Sequence, residues 1–162
     1  MTRLAHVRKP RASAVAGPPS QLPARGTAST RRSIPAVDLR RIDHVVLTVA
    51  DMDATIAFYV RVLGMRHVVT GDRHALHFGD CKLNLHPEIN DLPPLKAAVP
   101  TLGSEDICLV AEGAIEDVVA ELRAAGVEIE VGPVARAGAL GDMTSVYFRD
   151  PDANLVEISV YG

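Results

Sequence analysis

Apolar and polar positions alternate along this chain in a pattern that occurs twice. Residues 42–49 (IDHVVLTV) are a β-branched run and read as a strand. Across residues 53–63 the side chains Ile56, Tyr59, Val60 and Leu63 recur at helical spacing. Asp53 is placed to cap that helix and Gly64 to end it. Three short strands follow, MRHVVT, RHALHF and CKLNLH, the last two joined at Gly79–Asp80. Residues 106–111 (DICLVA) then start the order again as a strand. Residues 114–125 put Ile115, Val118, Val119 and Leu122 on one helical face, closed by Gly126. VEIEV, a glycine-rich loop around 132–144, TSVYFR and NLVEISV complete the second half, with a turn at Asp150–Asn154.

Each half therefore reads strand–helix–strand–strand–strand. His44 precedes Gly64 by 20 residues and Asp106 precedes Gly126 by 20. Repetition of a whole supersecondary unit predicts an α+β domain of two βαβββ modules, about 41–88 and 104–162.

The repeat also organises the candidate chemistry. A metal-ligand type stands at two places in each half, His44 and His86 in the first, Asp106 and Glu157 in the second. Lys82, Asn84 and His86 alternate with Leu83 and Leu85, so one face of that strand is polar. Such a face either lines a cavity or meets solvent. Glu157 lies between Val156 and Ile158, where an unpartnered carboxylate is costly to bury. A metal ion or an ion pair with Arg136 would each hold it charged. Asp106 can bind a metal, act as a base, or orient another ligand. Two histidines with one or two carboxylates suit Fe(II), Mn(II), Ni(II) or Zn(II). Arg136, in the loop GPVARAGALGD, is placed to clamp an anionic substrate or to lie solvated; Gly138 and Gly141 would let that loop move as a lid. His67, His74 and His77 read as structural or surface residues.

The segments IDHVVLTVADMDATIAFYVRVLGM and SVYFRDPDANLVEIS resemble the vicinal oxygen chelate superfamily. That superfamily includes glyoxalase I, extradiol ring-cleaving dioxygenases, fosfomycin-resistance proteins and methylmalonyl-CoA epimerase. The likeness covers about 41–162 and is greatest to the small one-domain group around glyoxalase domain-containing protein 5. It implies paired βαβββ modules forming a half-open barrel around a metal site, with His44, His86, Asp106 and Glu157 as the metal set. It also implies a homodimer acting on a small-molecule substrate. Tyr147, ten residues before Glu157, matches a tyrosine near the metal in extradiol dioxygenases. The expected activity leans to a ring-cleaving dioxygenase with Fe(II) or Mn(II). A glyoxalase-I-like lyase or isomerase with Ni(II) or Zn(II) is the alternative. Metal-free sequestration of a small ligand, as in bleomycin resistance, is a third reading. With no Trp, three Phe and three Tyr the chain is poorly equipped for a stacking cleft.

Charge changes the picture only at the N-terminus. Residues 1–37 hold seven basic side chains and no acid, whereas the remainder holds ten basic and twenty acidic groups. Residues 1–40 are expected to be a disordered basic tail. Its composition is compatible with organelle targeting, with charge contact to nucleic acid or lipid, or with an inert extension. The acidic domain argues against nucleic acid as a partner. No apolar run reaches the roughly 18 residues of a membrane helix, so no membrane partner is expected. Cys81 and Cys108 lack disulfide or zinc spacing, which points to reduced thiols and a cytoplasmic location.

Overall fold

A computed structural model describes residues 37–88 and 95–162; of the tail expected at 1–40, residues 1–36 lie outside the described residues. The domain spans Arg40–Gly162. The first module runs β1 (His44–Val49), α1 (Met52–Leu63), β2 (Arg66–Thr70), β3 (Arg73–Phe78) and β4 (Cys81–Pro87). The second runs β5 (Asp106–Val110), α2 (Ile115–Ala124), β6 (Val131–Gly138), β7 (Gly141–Arg149) and β8 (Leu155–Tyr161). Each module makes its own four-stranded sheet, in the orders β1-β4-β3-β2 and β5-β8-β7-β6. The first and last strands of each module pair in parallel and the others antiparallel. This is the α+β duplication expected from the repeat.

Local chemistry explains the elements and four departures from expectation. Asp51, not Asp53, caps α1: its carboxylate accepts from the Ala54 amide at 3.0 Å. Gly64 ends that helix with φ +64°, a conformation costly for any residue with a Cβ. The buried stripe of α1 runs through Thr55 and Tyr59, so Val60 is left exposed. Residues 127–130 are not a strand, and the glycine-rich segment expected to be a mobile loop is instead the β6–β7 hairpin. Gly138 pairs with Gly141 across a two-residue turn, and a Cβ on Gly138 would meet the Tyr161 ring. Small residues here mark close approach of backbone to side chain, not a lid.

One core joins the modules. Leu47, Val49, Leu83 and Leu85 of the first sheet and Val146, Phe148, Val156 and Ile158 of the second belong to it, with Tyr59 and Leu122 from the helices. The turn at 150–154 ties into α1. Tyr59 donates to Asp150 at 2.9 Å; Asp152 accepts from the Ala50 amide at 2.9 Å and the Thr55 hydroxyl at 3.2 Å. Burial, then the charge of Asp150, raises the Tyr59 hydroxyl far above the usual tyrosine range. These bonds place the start of β8, and hence Glu157. Among the described residues no helix is long and apolar enough to cross a membrane.

Candidate functional site

The polar face of the second sheet converges on Glu157. Antiparallel register sets Tyr147 opposite Glu157 and Ser145 opposite Ser159; parallel pairing sets Cys108 opposite Glu157. Ser159 Oγ donates to Glu157 Oε1 at 3.0 Å and lies 2.8 Å from Ser145 Oγ and 3.2 Å from Cys108 Sγ. Both serines are fully buried. Burial alone would raise the Glu157 pKa, but the Ser145, Tyr147 and Ser159 hydroxyls and the Cys108 thiol hold it below the usual carboxylate value. Burial pushes the Cys108 thiol up; Ser159 opposes that shift, while the Glu157 and Asp106 carboxylates add to it.

Arg136, expected in a loop, sits on β6 beside Tyr147. Its Nε donates to Tyr147 Oη at 2.9 Å, and the guanidinium carbon lies 5.3 Å from the ring centroid. Arg136, Tyr147 and Glu157 are thereby strung across three neighbouring strands. Arg136 serves the tyrosine and not the carboxylate: among the described residues no ion pair involves Glu157.

The first sheet presents the histidines. His44 Nδ1 lies 2.8 Å from Asp43 Oδ1, and that bond contributes most to holding the Asp43 carboxyl below its usual value. A carboxylate only accepts, so Nδ1 carries a proton, and in the neutral imidazole Nε2 keeps its lone pair. Such a carboxylate–imidazole pair is the way proteins orient a metal-binding histidine. His86 is held below the ordinary imidazole value by burial first, then by Arg73 and Lys96. A cavity of about 390 Å³ opens on this face, lined by both histidines.

Register corrects the equivalence of ligand positions. Cys108 pairs with Glu157, and the matching pair in the first module is Val46 with Asn84. Glu157 thus corresponds to Asn84, and His86 stands two residues further, opposite Thr48, where the second module has Ser159 opposite Val110. Counting along the chain missed this because the loops between the strands differ in length. Nor does one chain gather the expected ligands: no three His, Cys, Asp or Glu side chains among the described residues are arranged to hold a metal ion. His44 shares one cavity with His86 and another, of about 400 Å³, with Asp106; Glu157 lines neither. Sequence reasoning missed Asp43, Ser145 and Ser159. Their signal was present in the polar alternation of Ser145 with Tyr147 and of Glu157 with Ser159 in otherwise apolar strands.

Two modules of this topology with polar inner faces define a paired βαβββ protein, and comparison with known proteins gives the same class. Residues 41–158 match the Glyoxalase/Bleomycin resistance protein/Dioxygenase superfamily, and the chain belongs to it. The chain is 51% identical over 122 residues to Virulence protein STM3117 of Salmonella typhimurium, covering 75% of this chain and 84% of the relative. The crystal structure of that protein superposes with a TM-score of 0.75 at 49% identity, over 78% of this chain and 100% of the other. Glyoxalase domain-containing protein RDO1 of Mycosarcoma maydis is 47% identical over 126 residues, 77% of this chain and 70% of the relative. An integron cassette protein from the mobile metagenome of V. cholerae gives a TM-score of 0.75 at 44% identity, over 78% and 99% of the two chains.

Proposed function

We propose that this chain is a metal-dependent enzyme acting on a small substrate with two neighbouring oxygens, of the ring-cleaving extradiol type, within the glyoxalase domain-containing protein 5 group. The observation that carries the reading is Glu157. It is a half-buried carboxylate kept ionised by surrounding hydroxyls, with no ion-pair partner among the described residues. A metal ion would supply the missing positive charge. The donor chemistry fits: a carboxylate held charged on one sheet, an imidazole with a free Nε2 on the other.

His44 and Glu157 would be ligands, with Asp106 and His86 completing the set or moving protons. The metal, Fe(II) or Mn(II), supplies Lewis-acid stabilisation of the substrate oxygens. Tyr147, its oxygen accepting from Arg136, directs its proton at Glu157 and would turn it to a substrate oxygen once a metal takes up the carboxylate. Hydroxyls gathered around Glu157 hold it charged for ligation, whereas the alternative, a glyoxalase-like isomerisation with Ni(II) or Zn(II), asks a carboxylate to shuttle a proton.

Among the described residues of one chain Glu157 shares no cavity with His44, so in this reading the site is completed in a homodimer. His44 of one chain then meets Glu157 of the partner subunit. His44→Ala and Glu157→Ala should each abolish metal uptake. Mixed dimers of the two variants should regain one intact site, whereas a site built within one chain would stay broken in every mixture. Anaerobic Fe(II) loading followed by a catechol screen, beside a Ni(II) or Zn(II) sample given glutathione hemithioacetal, tests the reaction. Protein that takes up none of these metals would refute the enzyme reading and leave ligand sequestration.

A further inference from the structure

The back of the first sheet carries a pair of histidines that the proposed active centre does not use. His67 on β2 and His74 on β3 stand diagonally across one strand pair, since His67 pairs with Leu76 and His74 with Val69. Alternation puts both on the face opposite that of His44 and His86, beside Leu76. His74 also borders the 390 Å³ cavity; His67 does not. His67 Nε2 lies 3.1 Å from His74 Nδ1. The ring centres are 5.2 Å apart and the planes differ by 19°, so the rings lie edge to edge, each turning a nitrogen toward the other. In the neutral pair one ring donates and the other accepts. Both side chains are half-buried.

Two nitrogens bound to one ion at about 2.0–2.1 Å stand about 2.9–3.4 Å apart for bond angles from about 90° to 110°. The 3.1 Å contact falls inside that range. The rings need only swing to aim both lone pairs at one point, and the histidine χ2 torsion is broad and soft. The shared proton moves to the outer nitrogen of the donor ring, so two neutral imidazoles offer two lone pairs with no net change in protonation. No third His, Cys, Asp or Glu completes the set among the described residues, so water fills the remaining positions. Imidazole donors select borderline ions over hard ones such as Mg(II) and Ca(II). The other charges of the hairpin are Arg66 and Arg73, on the opposite face, and Asp72 in the turn. Solvent screens the repulsion those arginines exert on a bound cation.

We propose that His67 and His74 form a two-histidine site for a borderline divalent ion, Ni(II), Cu(II) or Zn(II). The ion staples β2, which among the described residues pairs with β3 alone, to the rest of its sheet. Neither ligand belongs to the set His44, His86, Asp106 and Glu157, so the inference does not rest on the reading above.

Ni(II), whose paramagnetism broadens nearby resonances, is titrated into the full-length protein and followed in backbone amide spectra. Amides around His67 and His74 should broaden saturably at micromolar metal, in the parent and in a His44→Ala, Glu157→Ala double variant alike. His67→Phe and His74→Phe keep a ring and remove the donor nitrogens; each should weaken that binding about tenfold. In the parent, Zn(II) should also move the resonances of His67 Nε2 and His74 Nδ1, a readout that needs no variant to fold. Broadening confined to β1, β4, β5 and β8 would overturn the pair and keep the active-centre metal; broadening at the β2–β3 hairpin alone would support the pair and sink that metal. Binding that needs millimolar ion, or a Phe variant that binds like the parent, would overturn the proposal.

Discussion

Tyr59→Phe removes one hydroxyl and nothing else, from a ring that is fully buried. That hydroxyl donates to Asp150 Oδ2 at 2.9 Å. Asp150, 6% exposed, accepts three further bonds: from the Asn154 side chain at 2.9 Å, the Asn154 amide at 2.8 Å and the Asp152 amide at 3.0 Å. All roughly four lone-pair sites of the carboxylate are in use. The isosteric ring leaves no cavity beyond one oxygen atom, so the loss is that of a hydrogen bond to a charged acceptor, about 2 kcal/mol. For a domain of this size that lowers the melting temperature by about 8 °C. Urea unfolding followed by circular dichroism near neutral pH should show a lower midpoint at an unchanged slope, since the same surface is exposed. Asp150→Asn should cost more, because its amide turns two donors toward donors. Metal uptake by folded Tyr59→Phe should equal that of the parent, since the three remaining bonds still place the start of β8. A variant within about 0.5 kcal/mol of the parent would refute the idea that this bond ties α1 to the turn preceding Glu157.

The pKa of Glu157 lies below the ordinary value, so its ionised form favours folding fully above the unfolded-state pKa, and this contribution is lost as pH falls through the lowered value. Ser145→Ala should raise that pKa toward the ordinary carboxylate value; a carbon-13 titration of the Glu157 carboxyl that shows no upward shift would contradict the network. Glu157→Gln removes a charge that raises the Cys108 thiol, so Cys108 should alkylate faster at fixed pH, and an unchanged rate would place the two groups apart. Gly132→Ala should destabilise the domain by about 1–3 kcal/mol from its φ of +113° alone, with more from the close approach of the new Cβ to the Ser145 carbonyl oxygen. Chemical denaturation reads that loss, and a parent-like midpoint would show that the hairpin relaxes freely.

The duplication was legible in the chain itself. Apolar period two and period 3.6, with glycines at the helix ends, depend on neighbours within a few residues, so β1 to β5, both helices, most of β7 and β8 could be read locally. Glu157 was legible as well, because a carboxylate within LVEIS, in an otherwise apolar strand, demands a partner wherever the strand goes. Pattern failed where contacts across the sheet decide. The small residues of β6 carry no strand signal of their own and become a strand only by pairing with β7. The correspondence of Glu157 with Asn84 instead of His86 is a property of register, which loops of unequal length conceal. Arg136 reaching Tyr147, Asp43 turning His44, and serines buried behind Glu157 are side-chain meetings between residues whose spacing implies no contact. Tertiary structure also set the limit of one chain. The residue types that suit a metal are present in the sequence, but their two faces belong to separate sheets, and only the packing of those sheets determines whether they meet.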